Sequence, residues 1–212
     1  MSMGLAQRLR DGTRALHTAA ERAGVMPAML RGTLPAAVFW QMQRNLLPIY
    51  QALEAGLQQQ ATHPVLAPLQ LGPLARCAAL LDDLNGQAGP HWQDRLAVCR
   101  AAAAYADHLQ ALAHQQPAAL AAHAYVRYLG DLAGGQTLRR VAQQAYGLQG
   151  DAGTRFFDFG PPAHAVRLGQ QLRRALDSLP LDEPAMQALV AEAQWAFAQH
   201  VRLFEELAGA PH

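Results

Sequence analysis

Three features of this sequence predict an all-α fold. Alanine, leucine and glutamine dominate it, alternating strand-like runs are scarce, and prolines cluster between stretches whose apolar residues recur at helical spacing. The first expected helix covers residues 2–23, opening at Ser2, with Leu5, Leu9, Leu16 and Ala20 on its core side and Gly24 and Pro27 closing it. A second covers residues 35–60, where Pro35 suits a first-turn position and Pro48 predicts a kink. Residues 63–73 read as a proline-rich linker and 74–84 as a short helix, after which Asn85-Gly86 and Gly89-Pro90 mark turns. A helix over 92–114, weakest at the alanine run 101–104, precedes a long helix that Pro117 opens and that runs to Tyr146. Residues 147–162 form a loop carrying Phe156, Phe157 and Phe159, expected to be packing, and helices over 163–179 and 184–207 complete the pattern. No repeat or composition shift divides the chain, so residues 1–212 are expected to form one domain.

Composition narrows the function classes. The formal net charge is +1 with no long basic run, which argues against a general nucleic-acid binder. No stretch approaches the roughly 18 uninterrupted apolar residues of a membrane span, and the first ten residues lack the apolar core of a secretion signal. A cytoplasmic protein is expected. All 17 basic residues are arginine, so any carboxylate ligand must be met by guanidinium, which binds it in bidentate fashion. Cys77 and Cys99 form no CxxC pair and are expected to be reduced.

Two segments carry chemistry. Within the long predicted helix, Gly130, Gly134 and Gly135 cost roughly 0.5–1 kcal/mol each relative to alanine. Bare backbone there predicts a kink and a surface flat enough for close approach. Gly130 and Gly134 share a face at i and i+4, and Arg127 and Asp131 are likewise four apart. Spacing alone leaves two readings open: a glycine-mediated helix crossing with a surface Asp–Arg pair, or a platform for a planar ligand. In the first helix, His17 borders the core stripe with Glu21 one turn on, while Arg10 and Arg14 share its side. A carboxylate at i+4 can fix an imidazole tautomer by accepting the Nδ1 proton, leaving Nε2 free for a metal. The arginines suit an anionic rim. Read alone the signal is weak, because a lone histidine beside an apolar stripe is more often an ordinary packed or half-exposed side chain.

Residues 125–136, Tyr-Val-Arg-Tyr-Leu-Gly-Asp-Leu-Ala-Gly-Gly-Gln, resemble the signature of the haem oxygenases almost without a break. Residues 9–21 are similar to that family's proximal-helix segment, and 49–54, 89–92 and 203–207 also look familial, so the resemblance spans nearly the whole chain. It implies a helical fold holding haem between a proximal N-terminal helix and a kinked distal helix. It implies His17 as the iron ligand and Glu21 as its hydrogen-bonding partner. Gly130 and Gly134 would lie against the haem face, with Gly135 completing the kink. Asp131 would organise distal water, with Arg127 and Tyr50 around it. Arg10, Arg14, Arg173 and Tyr125 fall where the family meets the propionates. Gly169 departs from the pattern, since familiar members carry a basic residue there; Arg167 lies two residues earlier.

The implied reaction consumes haem as both prosthetic group and substrate, using O2 and electrons to give biliverdin, carbon monoxide and ferrous iron. The alternatives are a non-catalytic haem-binding or storage protein of the same fold, or a non-haem helical enzyme. No flavin or nicotinamide motif is present, so an external electron donor, a reductase or ferredoxin, is expected, with Arg139, Arg140, Arg173 and Arg174 as its docking surface. His123 is expected to be structural, and His108 and His200 have no partner at metal-site spacing.

Overall fold

The computed structural model describes residues 3–69 and 72–210; Ser2, the expected start of the first helix, and His212 lie outside the described residues. Ten α-helices and no strand occur among the described residues: α1 (Leu5–Arg22), α2 (Met26–Leu30), α3 (Ala36–Gln59), α4 (Cys77–Gln87), α5 (Trp92–Arg95), α6 (Arg100–Gln115), α7 (Leu120–Ala124), α8 (Gly130–Tyr146), α9 (Pro162–Asp177) and α10 (Glu183–Gly209). α3 packs on α6 and α4, α1 on α10 and α9, and α10 also meets α6 and α7. The core between them is almost wholly apolar, with Phe39, Ile49, Leu53, Leu80, Leu84 and Leu109 fully enclosed.

Side chains from distant elements start several helices. Asp177 accepts a hydrogen bond from Ala6 N at 2.8 Å, satisfying one of the free donors at the beginning of α1. Asp182 is the N-cap of α10, accepting from Ala185 N at 2.9 Å with Pro184 in the first turn. α1 ends at Arg22 as Gly24 turns. A Cβ on Gly24 would fall 1.9 Å from the Phe204 carbonyl oxygen, so only glycine lets α10 approach here. Pro27 does not terminate α1; it occupies the first turn of α2. α3 runs through Pro48 for 24 residues.

Three sequence expectations change. α4 continues through Asn85 and Gly86, and the turn comes at Gly89 (φ +83°) and His91 (φ +53°). Asn85 serves tertiary contact instead, accepting from Trp92 Nε1 at 2.9 Å. The single helix expected over 92–114 is two, broken at 96–99 and not at the alanine run. The cause lies in side chains that capture the backbone: Gln41 and Asn45 bond the Ala97 carbonyl, Asn45 Oδ1 accepts from Cys99 N at 2.7 Å, and Glu206 accepts from Arg100 N and Ala101 N, each at 2.9 Å. Finally, the long helix is segmented. A 3-10 turn at Pro117–Ala119 leads into α7, then a π-helical turn at Tyr125–Leu129, and only then α8. The irregularity falls one turn before the glycines, not at them.

The loop after α8 contains a 3-10 turn, Arg155–Phe157. Buried Asp83 on α4 holds it, accepting from Arg155 N at 3.0 Å and Phe156 N at 2.9 Å. No helix among the described residues is long and apolar enough to cross a membrane.

Candidate functional site

A slot opens between α1 and the π turn with the first half of α8. It consists of two adjoining hollows of about 520 and 400 Å³ that share His17, Val126, Gly130, Ala133 and Phe197. Their outer parts differ in character. One is walled by Gln7, Arg10, Thr13, Arg14, Tyr125, Arg173 and Asp177; the other by Met26, Leu30, Met42, Leu46, Leu138, Phe156, Phe157 and Phe204. A flat, mostly apolar ligand with an anionic edge matches that division.

His17 projects from α1 into the slot with its side chain 52% exposed, and the Phe197 ring stands edge-on to it with centroids 5.7 Å apart. Its Nδ1 faces Glu21 Oε1 at 3.8 Å, longer than a hydrogen bond, so the expected His17–Glu21 bond is not formed. The reason is exposure: with both groups in water, solvation competes with the pair. Arg10, Arg14 and Arg173 line the slot, but Arg14 also pairs with Asp11 at 2.8 Å. Arg139, expected on a docking surface, is drawn to Asp158 at 2.9 Å.

Across the slot, a Cβ added at Gly130 or Gly134 would meet nothing within 4 Å, so these glycines face open space and not a helix crossing. Gly135 does not face the slot. Its Cβ would sit 3.0 Å from the Phe157 carbonyl oxygen, and its bare backbone serves the approach of the 155–157 turn. Gly169 lies where α9 backs this region, with Arg173 Nη1 3.2 Å from the position of a Cβ. Arg167 is exposed and is not among the lining residues.

Behind the glycines lies a polar network. The Tyr50 hydroxyl donates to Asp131 Oδ2 and accepts from Arg127 Nε at 2.9 Å and Nη2 at 2.6 Å; Nη2 also reaches Asp131 Oδ1 at 3.2 Å. Arg127 Nη1 donates to His200 Nε2, and His200 Nδ1 donates to the Ala196 carbonyl at 2.8 Å. His200 is therefore the neutral Nδ1–H tautomer, and burial followed by the Arg127 charge holds its pKa well below the usual imidazole value. Burial works against the charge on Arg127, but Tyr50 and Asp131 outweigh it and raise its pKa. Burial likewise raises the pKa of Asp131 despite Arg127 and Tyr50. Asp131 keeps 10% of its side chain exposed, and that part lines the slot, whereas Tyr50 is fully enclosed and reaches it only through Asp131 and Arg127.

His200, Phe197 and Asp177 are site residues that sequence reasoning missed. His200 has no partner at metal-site spacing in the sequence, and its burial against Arg127 from 73 residues away is a pairing no local spacing reveals. Phe156 and Phe157, read as loop packing, also line the slot. His123 is fully buried and does not line it.

The family model described as "Heme oxygenase" matches residues 3–206. The heme oxygenase of Pyropia yezoensis is 37% identical over 203 residues, covering 96% of this chain and 85% of its own. The crystal structure of heme oxygenase-1 from the cyanobacterium Synechocystis in complex with heme superposes with a TM-score of 0.90 at 34% identity, over 98% of this chain and 93% of that one. Heme oxygenase-2 from Synechocystis, in complex with heme and NO, gives 0.92 at 36% identity over 97% and 85%. With a family match across the chain and relatives above 30% identity over nearly its full length, the chain belongs to the haem oxygenase family.

Proposed function

We propose that this chain, acting as one domain in the cytoplasm, binds haem in the slot as its substrate and opens the porphyrin oxidatively to biliverdin, carbon monoxide and ferrous iron. The observation that carries the reading is the strip of bare backbone at Gly130 and Gly134, facing His17 over an open slot that is apolar at one end and guanidinium-rich at the other. The haem edge would lie among Met42, Leu46, Phe156 and Phe157, and its carboxylates among Arg10, Arg14, Arg173 and Tyr125.

His17 is assigned as the iron ligand through Nε2. The ring is anchored laterally by Phe197, and Glu21, one turn away, would draw the Nδ1 proton toward itself once bound haem displaces water. As an imidazole, His17 would supply the iron with less electron density than a thiolate, so O–O heterolysis ahead of oxygen transfer to the ring would be less strongly driven. Gly130 and Gly134 leave space for dioxygen beside the ring plane, where any larger side chain would intrude. Asp131 is assigned the proton-handling role. Arg127 and Tyr50 pin its carboxylate from behind, so its accessible edge meets water in the slot and is held back from the substrate. His200 fixes the guanidinium and, as a neutral acceptor, adds no competing positive charge. The electrons come from an external donor.

Adding hemin and then ascorbate in air tests this. The Soret band should form, then decay as biliverdin absorption grows. A stable Soret band would make the chain a haem-storage protein, and no spectral shift would remove haem from the account altogether.

A further inference from the structure

Outside the slot, α6, α7 and α10 converge on a second cluster. His108 Nε2 lies 2.7 Å and His123 Nε2 2.9 Å from the same oxygen, Glu192 Oε1, and one donor atom from each residue falls within 4.8 Å of the others. None of the three lines the slot. We propose that His108, His123 and Glu192 form a binding site for a divalent transition-metal ion of the zinc class. This inference does not rest on the haem reading.

Four observations carry it. The donor set, two imidazoles and one carboxylate with no thiolate, suits zinc, cobalt, nickel or copper, and excludes a calcium-type oxygen cage. The donors come from three helices, so an ion would tie together elements that the sequence keeps far apart. Ligand bonds of about 2.0–2.2 Å require the donors to stand roughly 3.3 Å apart in tetrahedral geometry. The separations from Oε1, 2.7 and 2.9 Å, fall short of that while the three donors span up to 4.8 Å, so side-chain rotations would have to open the carboxylate contacts and draw the imidazoles together around an ion.

The fourth observation is the support around the ligands. Tyr105 Oη lies 2.9 Å from His123 Nδ1, and a hydroxyl can either donate or accept. His123 can therefore move its proton from Nε2 to Nδ1, freeing Nε2 for the ion while keeping a partner for the other nitrogen. The Trp195 ring lies against His108 with centroids 3.9 Å apart and restrains it. His108 is 31% exposed, which gives entry for the ion and a water as fourth ligand.

The full-length, haem-free chain should be titrated with Zn2+ against a chelating indicator, and with Co2+ while its visible ligand-field bands are read. We expect one ion per chain, a tetrahedral cobalt spectrum and a thermal midpoint that rises with Zn2+. His108→Ala, at a partly exposed position, should weaken Zn2+ at least about tenfold, with thermal melts of the metal-free chain checking that the variant folds. Tyr105→Phe should weaken it about 10–100-fold, as removal of a ligand's hydrogen-bonding partner does, and His17→Ala should leave it unchanged. Absence of one-to-one binding by the parent chain would overturn the proposal. So would His108→Ala binding Zn2+ as tightly as the parent, or His17→Ala abolishing the site.

Discussion

Tyr50 on α3 and Asp131 on α8 are 81 residues apart in the chain, and the Tyr50 hydroxyl donates to the Asp131 carboxylate while accepting two bonds from Arg127. One enclosed oxygen thus fixes both the acid and the cation of the slot's polar wall. Its position decides which face of Asp131 is left for water.

Removing that oxygen has a defined consequence. Tyr50→Phe strands two buried Arg127 donors, which should cost about 1–3 kcal/mol of folding stability. Asp131→Ala removes the carboxylate at the slot, leaving haem binding intact and biliverdin formation lost. Urea midpoints, hemin titration and single-turnover product yield measure the three quantities. Unchanged biliverdin yield in Asp131→Ala would remove the acid from the mechanism.

His17 gives a contrasting case because its side chain is half exposed and makes no hydrogen bond to Glu21. His17→Ala should change stability by less than about 0.5 kcal/mol. The same change should abolish the imidazole-ligated haem spectrum and turnover together, with added imidazole restoring part of both. A parental spectrum in the variant would assign the iron to another residue.

The glycines separate stability from function in opposite directions. A methyl at Gly130 or Gly134 meets no atom within 4 Å, so Gly130→Ala and Gly134→Ala should raise folding stability by about 0.5–1 kcal/mol through helix propensity. Both should weaken haem binding or turnover, because the methyl enters the slot. Gly135→Ala should destabilise by about 1–3 kcal/mol, since its methyl presses on the Phe157 carbonyl. Thermal melts with and without hemin distinguish these effects; if all three variants behaved alike, the distinction between slot-facing and packing glycines would fail.

Much of this site is legible in sequence because its parts are local. The glycines, Arg127 and Asp131 fall within two helical turns, and the arginines of α1 share a side with His17 by helical spacing alone. The pairings that orient these groups are not local. Arg127 with His200, Ala6 with Asp177, and Glu206 with the start of α6 span 73, 171 and 106 residues, and no periodicity encodes them. The helix breaks follow the same division. Gly147 ends α8 at φ +64°, as a glycine C-cap should. The break at 96–99 is imposed by Gln41, Asn45 and Glu206 from other helices, so local propensity misplaces it.

Asp83 ties the slot's aromatic floor to pH. Burial raises its pKa from the ordinary 3.8 to about 6, against the pull of the Phe156 and Arg155 backbone donors. The folded chain therefore holds the Asp83 proton more tightly than the unfolded chain does. Its contribution to stability is complete below about pH 4 and is lost as pH rises through about 6, a difference of roughly 3 kcal/mol. Asp83→Asn abolishes this titration. Between pH 4 and 7 the parent chain should therefore lose stability relative to Asp83→Asn, with half of the difference reached at about pH 5, as read from denaturant unfolding at each pH. Because Asp83 holds the turn that carries Phe156 and Phe157, the hemin affinity of the parent should follow the ionisation of this carboxyl while that of Asp83→Asn stays flat. Parallel stability curves for the two chains would mean that the ionised carboxylate is satisfied by its two backbone donors, with no residual cost of burial.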